Sequence, residues 1–280
     1  MPTCFLSPVF TLTAPDFSLA DTLDCGQCFR FSPNADGSFS GLAENHFVTI
    51  AQREGQLLFY DTIPEDLPFW QNYLDLNEDY AAYRKAFSQD DILRQACAYA
   101  GGIRLVRQDP WEALCSFIIS QNNNIPRIKG IIDRLCAQFG PALPGGRYGF
   151  PSPEALAGRS TDDLAGLRAG FRAGYLLDAA RRVSDGQLVL SDLYSLPLQD
   201  ARQALRQIKG VGPKVAECAL LYGFHRLDAF PVDVWIKRAL QLFYPDGFPA
   251  FAIPKGVAQQ YLFHYIRTCP DAVPKELRHA

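Results

Sequence analysis

Residues 201–222 place two helical patterns on either side of a short turn, and this arrangement constrains the fold more than any other stretch of the chain. Apolar residues recur at helical spacing before and after Gly210-Val211-Gly212. Glycine adopts backbone conformations that other residues resist, and its small size lets a turn approach a ligand closely. The segment therefore predicts a helix-hairpin-helix, whose second helix would offer free N–H groups to an anion such as a phosphate.

The hairpin alone does not identify a function. Glycine at a helix end is common, so the spacing by itself slightly favours a tight corner between two helices. Lys214 opens the second helix, and lysine is most often an exposed charge at such a position. A chemical role for Lys214 therefore needs support from the rest of the chain.

The pattern of the whole chain predicts an α+β fold. Residues 1–60 contain β-prone runs separated by turns, and Asp36-Gly37 and Glu54-Gly55 are hairpin signals. Beyond them the apolar spacing becomes helical. We expect an N-terminal antiparallel β-rich domain with a helical end over residues 1–104, followed by an α-helical region over residues 105–280. A length of 280 residues agrees with two or three domains or subdomains.

Charge is distributed unevenly along the chain. The net charge is −3, but residues 1–100 carry 14 acidic and 5 basic side chains, whereas residues 101–280 carry 16 acidic and 22 basic ones. The basic part can hold an electrostatic footprint for a polyanion, although many proteins without nucleic-acid ligands share this asymmetry. No apolar run reaches membrane-spanning length, and the first residues lack the basic segment of a signal or transit peptide. We therefore expect a soluble intracellular protein without a membrane partner.

The eight cysteines do not predict a metal site. Cys25 and Cys28 form the one close pair, and Cys-x-x-Cys is a pattern of zinc and redox sites. A structural zinc site needs two more ligands, and no second Cys-x-x-Cys or His-x-x-x-His follows. Ordinary reduced cysteines are the favoured interpretation.

An aspartate nineteen residues beyond Lys214 gives the lysine a chemical partner. The stretch LRQIKGVGPKVAECALLYGFHRLDAFPVDVWIKRAL contains Lys214 and Asp233, and it resembles the signature of the helix-hairpin-helix DNA glycosylases of base excision repair. The resemblance implies that Lys214 is the nucleophile of a bifunctional glycosylase/lyase and Asp233 its catalytic carboxylate. On local pattern alone, Asp233 could equally be an acid favoured at a helix start.

These two roles agree with the chemistry of base removal. Breaking a glycosidic bond leaves positive charge on the sugar, which the Asp233 carboxylate can stabilise. A neutral Lys214 amine can attack C1′ and form a Schiff base, which permits strand cleavage by β-elimination. We expect the site to lower the pKa of this amine by desolvation or nearby positive charge.

Further motifs resemble one branch of that superfamily. Beyond Cys218 only Cys269 remains, so the four-cysteine iron–sulfur loop of other branches cannot form. LDCGQCFRF, LVRQDPWEALCSFIISQNNNIPRIKGIIDRLCAQFG, AGFRAGY and VAQQYLFHY each resemble a segment of 8-oxoguanine DNA glycosylase/lyase. They follow one another in the order of that family from about residue 23 to residue 264.

The resemblance implies four base-recognition residues. The Gly26 carbonyl would accept the N7 hydrogen that 8-oxoguanine has and guanine lacks. Cys218 and Phe263 would sandwich the flipped base, and Gln259 would bind its Watson–Crick edge. Read from local sequence, these are a turn glycine, two helical core residues and an exposed glutamine.

The resemblance also implies four contacts with DNA around the vacated position. Asn122 would fill the space left by the base, and Phe171 would insert where relatives carry a tyrosine. Arg127 and Arg172 would contact the cytosine opposite. Without the resemblance, the arginines are solvated charges in a basic region.

Several residues depart from the family pattern. Besides Phe171, Trp235 stands where a histidine is frequent and Tyr222 where a methionine is common, and Cys25 and Cys28 replace small residues. These departures suggest a divergent branch, such as a bacterial one. They bear on lesion preference and opposite-base discrimination more than on the reaction.

We therefore predict an enzyme that flips out 8-oxoguanine opposite cytosine, excises it and nicks the abasic strand of damaged double-stranded DNA. The resemblance implies no required cofactor, a structural cation at the hairpin carbonyls and a monomer in the cytoplasm, or at the nucleoid if bacterial. One alternative is a related glycosylase for another damaged purine. The other is a non-catalytic helix-hairpin-helix module whose lysine contacts phosphate.

Overall fold

The computed structural model describes residues 7–269 and residue 272. Its N-terminal part is a five-stranded antiparallel sheet in the order β1-β5-β4-β3-β2. The strands are β1 (Phe10–Thr13), β2 (Phe31–Pro33), β3 (Phe39–Ala43), β4 (His46–Arg53) and β5 (Gln56–Tyr60).

Two turns set the register of this sheet. Pro33 pairs with Phe39 around the predicted Asp36-Gly37 turn, and Arg53 pairs with Gln56 across Glu54-Gly55. Gly37 and Gly55 have φ values of 84° and 73°, which is the region that glycine enters without steric cost. The hairpins therefore form where the turn residues predict them.

A helical region follows the sheet, and the predicted α+β class is confirmed. A short helix, α1 (Leu19–Leu23), precedes β2. The later helices are α2 (Leu67–Tyr73), α3 (Tyr80–Phe87), α4 (Asp91–Ala100), α5 (Pro110–Ile119), α6 (Ile125–Phe139), α7 (Pro153–Ala157), α8 (Arg172–Ser184), α9 (Leu198–Leu205), α10 (Pro213–Tyr222), α11 (Val234–Phe243) and α12 (Lys255–Thr268). A two-stranded ribbon, β6 (Ala142–Leu143) with β7 (Arg147–Tyr148), lies between α6 and α7.

The apolar interior consists of two clusters. The smaller one packs the sheet against Trp70 and Tyr73 of α2, and the larger one joins α3 and α4 to the later helices. Phe87 of α3, for example, makes an edge contact with Tyr261 of α12 at 6.3 Å between ring centroids. The predicted division at residues 104/105 remains a prediction, since helices on both sides of it share one core.

The predicted hairpin is the connection between α9 and α10. Val211 is buried and donates its N–H to the Ile208 carbonyl, and Gly212 caps the start of α10. A Cβ added at Gly210 would lie 2.2 Å from the ring of Tyr175 on α8. The turn therefore packs closely against α8, which fixes where α10 begins. Within the described residues, no helix has the length and apolar composition to cross a membrane.

Candidate active site

One face of α10 carries the predicted nucleophile. Lys214, Cys218 and Tyr222 follow at intervals of four residues and so lie on the same side of the helix. Lys214 is partly buried, and its Nζ lies 5.5 Å from the centroid of the Phe117 ring on α5. Phe117 in turn stacks on Tyr222 at 5.1 Å. Aromatic side chains thus form the floor beneath the lysine.

The Cys218 thiol lies within the electrostatic influence of two other predicted residues, Lys214 and Asp233. Burial raises the pKa of the Cys218 thiol to about 11. The Lys214 ammonium opposes this increase in the Cys218 pKa, and the Asp233 carboxylate adds to it. Lys214 and Asp233 therefore act on the same buried thiol, one from its own helix and one from α11.

Asp233 is held by the helix that it begins. It is the N-cap of α11, and its Oδ1 accepts the N–H of Ile236 at 2.8 Å. An aspartate at an N-cap satisfies a helix N–H that would otherwise lack a partner. The interpretation as a helix-start acid is thus correct for its structural role, and the cap also fixes the direction of the carboxylate.

The Gly26 loop contacts the end of α12. The Cys25 carbonyl, which belongs to the peptide that precedes Gly26, accepts a hydrogen bond from Arg267 Nη1 at 2.8 Å. Gly26 has φ +91°, and a Cβ there would lie 3.4 Å from both Arg267 Nη1 and Ile125 Cδ1. Cys25 also contributes to the high pKa of Tyr222, which results mainly from burial. The loop of the sheet region therefore reaches the face of α10 that carries Lys214.

Sequence reasoning missed the residues that fix this loop from its other side. The Gln27 side-chain amide donates to the carbonyls of Thr22 and Arg104, at 2.8 and 2.7 Å. Its oxygen accepts the Val106 N–H at 3.0 Å, and its own backbone carbonyl accepts from Gln108 Nε2 at 2.8 Å. The Gly-Gln-x-Phe-Arg match could have drawn attention to Gln27, whereas nothing local distinguished Gln108.

The base-recognition helix α12 contains an unpartnered buried amide. Gln259 is buried, and its Oε1 has no hydrogen-bond partner within the described part of the chain. Such a group is costly unless a ligand satisfies it. Phe263, one turn later, is partly buried. Tyr222 joins α10 to this helix, since its hydroxyl donates to Gln260 Oε1 at 2.6 Å.

The asparagine run forms a fixed loop between α5 and α6. Asn122 is exposed with φ +48°, and Asn124 caps α6 by accepting the Arg127 N–H at 3.0 Å. Arg172 is 3% exposed and donates to the carbonyls of Gln121, Asn122 and Ala169. Its interpretation as a solvated charge is wrong, because its donors hold the Asn122 loop. Direct contact between Arg172 and an opposite base stays a prediction.

Phe171 and Arg127 lie at the surface beside this loop. Phe171 is 53% exposed, and Arg172 Cζ lies 4.5 Å from its ring centroid. Phe171 and the exposed Arg127 line one cavity of about 500 Å³. An exposed aromatic ring backed by a cation suits insertion into a base stack. The insertion of Phe171 into DNA and the contact of Arg127 with the opposite base remain predictions.

The last predicted site is the backbone of the hairpin. Gly210 has φ +79°, which agrees with the glycine expected there, and the carbonyl of Gly212 accepts the Ala216 N–H of α10. A cation at these carbonyls remains a prediction. Within residues 7–269 and 272, no group of three or more His, Cys, Asp or Glu side chains is arranged to hold a metal ion.

Two family matches cover most of the chain. Residues 9–114 match the family described as 8-oxoguanine DNA glycosylase, N-terminal domain. Residues 115–247 match the HhH-GPD superfamily of base excision DNA repair proteins.

Individual relatives agree with these matches. The chain is 30% identical over 276 residues to the N-glycosylase/DNA lyase OGG1 of Arabidopsis thaliana, and the match covers 91% of this chain and 74% of the relative. It is 40% identical over 152 residues to an N-glycosylase/DNA lyase of Saccharomyces cerevisiae, over 49% of this chain and only 40% of that relative's length.

A solved structure shares most of this architecture. The 8-oxoguanine glycosylase/lyase of Clostridium acetobutylicum, in complex with double-stranded DNA containing cytosine opposite 8-oxoguanine, is 36% identical with a TM-score of 0.84. The similarity covers 90% of this chain and 92% of that one.

Proposed function

Because the chain belongs to the 8-oxoguanine DNA glycosylase/lyase family, we propose that it excises 8-oxoguanine from double-stranded DNA and then cleaves the abasic strand. The observation that carries this proposal is the position of Lys214, one turn before the buried Cys218 on α10 and 5.5 Å from the Phe117 ring centroid, with the Asp233 carboxylate near enough to act on the same thiol. A nucleophile and a carboxylate meet there beside an apolar wall, as removal of a purine requires.

In the proposed reaction the Lys214 amine attacks C1′ of the flipped nucleotide. The C1′–N bond to the base breaks, its electron pair leaves with the base, and a C1′–N bond to lysine forms. The Asp233 carboxylate stabilises the positive charge that develops on the sugar. Asp233 can do so without moving, because its N-cap hydrogen bond already fixes its direction.

Strand cleavage then follows from the covalent intermediate. Opening of the sugar ring gives a Schiff base between Lys214 and C1′, which acidifies the proton on C2′. Loss of that proton and departure of the 3′ phosphate complete the β-elimination. Water finally hydrolyses the Schiff base and releases the free amine. None of these steps requires a cofactor.

Base recognition is proposed to use the four residues around the pocket. The Gly26 carbonyl would accept the N7 hydrogen of the lesion, and the unpartnered Gln259 oxygen would accept a hydrogen from its Watson–Crick edge. Cys218 would face one side of the base as a neutral thiol, because burial keeps its pKa near 11. Phe263 would cover the other side.

Opposite-base preference is proposed to depend on the Asn122 loop. The relative from Clostridium acetobutylicum binds DNA with cytosine opposite the lesion, which supports cytosine as the partner here. Arg127, exposed beside the loop, and Arg172, which also holds the loop, would contact that base. Excision rates opposite each of the four bases would test this preference. As a monomeric repair enzyme, the protein would act where the cell keeps its DNA, which is the nucleoid in a bacterium.

Borohydride trapping tests the proposed function. We expect wild-type protein to form a covalent adduct with an 8-oxoguanine:cytosine duplex, and Lys214→Gln to form none, because the trapped species is the lysine Schiff base. Lys85→Gln is the matched control, since Lys85 is an exposed lysine on α3, a helix that carries none of the predicted site residues.

Three outcomes separate the alternatives. No wild-type adduct, from a folded protein that binds DNA, would indicate a non-catalytic module. An adduct only with duplexes that carry another damaged purine would identify a related glycosylase. An adduct that persists in Lys214→Gln would remove Lys214 from the role of nucleophile.

A further inference from the structure

We infer that Arg267 is a specificity-determining positioning residue, which holds the Cys25 carbonyl beside Phe263 and thereby orients the adjacent Gly26 carbonyl that distinguishes 8-oxoguanine from guanine. The inference rests on the proposed function. Arg267 lies outside the sequence motifs that predicted the other residues of the pocket.

Arg267 joins two opposite walls of the pocket. It lies in the last turn of α12, one helical turn after Phe263, and its guanidinium carbon is 5.5 Å from the Phe263 ring centroid. The same guanidinium donates to the Cys25 carbonyl at 2.8 Å. A single side chain therefore sets the distance between the loop that carries Gly26 and the ring that would stack on the base.

The contact acts directly on the peptide before Gly26. A peptide unit is planar, so holding the Cys25 carbonyl also fixes the direction of the Gly26 N–H. Gly26 itself has φ +91° and lacks a Cβ, and glycine in this state has many accessible conformations of similar energy. Without an external contact, nothing in the residue's own preferences would hold the peptide in one orientation.

The side chain and the carbonyl of Gln27, the residue after Gly26, are held independently of Arg267. Gln27 donates to two carbonyls and accepts from Val106, and Gln108 donates to the Gln27 carbonyl. All of these groups are buried, whereas Arg267 is only partly buried. The Gly26 carbonyl lies in the peptide between these two anchors, so its direction depends on the core contacts of Gln27 and on one surface-accessible arginine.

The chemistry of Arg267 fits this positioning role. A guanidinium offers several N–H donors in a rigid plane, so it can hold a carbonyl while its face covers an aromatic ring. No carboxylate forms an ion pair with Arg267 among the residues that the structure describes. Its contacts within that part of the chain are thus directed to the Gly26 loop and to Phe263.

Displacement of the Gly26 carbonyl would reduce the preference for 8-oxoguanine over guanine more than it reduces the affinity for DNA. The lesion and guanine differ at N7 by one hydrogen, so the preference depends on the direction of a single hydrogen bond. Hydrogen bonds weaken steeply when their angle departs from linearity. Contacts with DNA outside the base pocket do not depend on this peptide.

The test compares binding to three duplexes in a Lys214→Gln background, where no excision occurs under the proposed mechanism. The duplexes carry 8-oxoguanine, guanine or a tetrahydrofuran abasic analogue opposite cytosine. We expect Arg267→Met to reduce the affinity ratio of 8-oxoguanine over guanine by about tenfold, the equivalent of one displaced hydrogen bond. Affinity for the tetrahydrofuran duplex should stay within about twofold, because it has no base to recognise.

Two further variants control for a merely structural effect. Arg267→Lys keeps the charge but loses the planar donors, so we expect an intermediate ratio. Arg181→Met removes a similar arginine, which donates to the carbonyls of Ala157 and Arg159 away from the pocket, and should keep the wild-type ratio. Circular dichroism establishes that each variant is folded, and if Arg267→Met is not, the Lys variant decides.

Each outcome bears on the inference. An unchanged ratio in Arg267→Met, or an equal loss of affinity for all three duplexes, overturns it. A selective loss for 8-oxoguanine with partial recovery in Arg267→Lys supports it. If the Lys214→Gln protein with Arg267 intact shows no preference for 8-oxoguanine over guanine, the proposed substrate is wrong and the inference fails with it.

Discussion

Asp233 illustrates how one residue can serve both the fold and the chemistry. Its carboxylate caps α11 through the Ile236 N–H and lies within electrostatic range of Cys218 and Tyr222. A cap requires a side-chain oxygen acceptor, whereas stabilising a cationic sugar requires negative charge. The two roles can therefore be separated by substitution.

Asp233→Asn should separate them. Asparagine caps helices about as well as aspartate, so we expect unfolding free energy within about 0.5 kcal/mol of wild type. Excision of 8-oxoguanine should fall about 100-fold or more, because the fixed negative charge is lost. Asp233→Ala should lose the same activity and also about 1 kcal/mol of stability. Urea unfolding and single-turnover excision measure the two effects, and full activity in Asp233→Asn would contradict the catalytic role.

At the scale of elements, the hairpin is positioned by packing against α8. Gly210 lies against the Tyr175 ring, which leaves no room for a Cβ, and its positive φ would strain any residue other than glycine. The direction of α10, and hence of Lys214 on it, follows from this contact. The asparagine loop shows the same principle, since Arg172 at the start of α8 holds it through the carbonyls of Gln121 and Asn122.

Gly210→Ala should destabilise the protein by about 1–3 kcal/mol, because the methyl group overlaps Tyr175 and the backbone is strained. Gly174→Ala on α8 is the matched control. A Cβ at Gly174 meets nothing within 4 Å, so alanine should stabilise the helix by about 0.5–1 kcal/mol. The midpoints of urea unfolding measure both stability changes. Equal midpoints for the two variants would contradict the packing of Gly210 against Tyr175.

At the scale of the molecule, a buried ion pair joins the sheet region to the helical region. Arg30, just before β2, lies 3.3 Å from Glu112 on α5 and also donates to the Tyr148 carbonyl of the small ribbon. Burial raises the pKa of Glu112 to about 7, and the nearby Asp109 carboxylate adds to this increase while Arg30 opposes it. Ionised Glu112 is thus disfavoured in the folded protein despite its partner.

The pH dependence of stability should report this group. Its pKa rises from an ordinary 4.5 to about 7 on folding, so between these values the folded state binds more protons than the unfolded state. Stability from Glu112 is therefore lost as pH rises through this window. Glu112→Gln cannot ionise, so its unfolding free energy should rise relative to wild type from pH 4.5 to 7 and level off above.

Glu154→Gln is the control for this prediction. Its own backbone N–H and Ser152 lower the pKa of Glu154, so the difference from wild type should have the opposite sign. Chemical unfolding at intervals of half a pH unit measures both variants. A difference for Glu112→Gln that does not change with pH would show that the pKa of Glu112 is the same in the folded and unfolded states.

The sequence alone determined the features that depend on short stretches. The turn residues predicted two hairpins of the sheet, and the Gly-Val-Gly turn predicted α9 and α10, because these conformations depend on local backbone preferences. The order of the motifs predicted the family, which the comparisons confirm. The candidate nucleophile and carboxylate lie within one such stretch, and its resemblance to the glycosylase signature predicts their roles.

The tertiary structure alone decided which distant residues complete the pocket. Arg267 and Cys25 are 242 positions apart, and Tyr222 and Gln260 are 38 apart. Arg172, predicted to contact DNA, also donates to carbonyls about 50 positions earlier. Local preferences do not predict such contacts, because the sequence around an arginine or glutamine does not show which carbonyl will lie beside it in the fold. Only the packing of α12 and α8 against these loops brings the partners together.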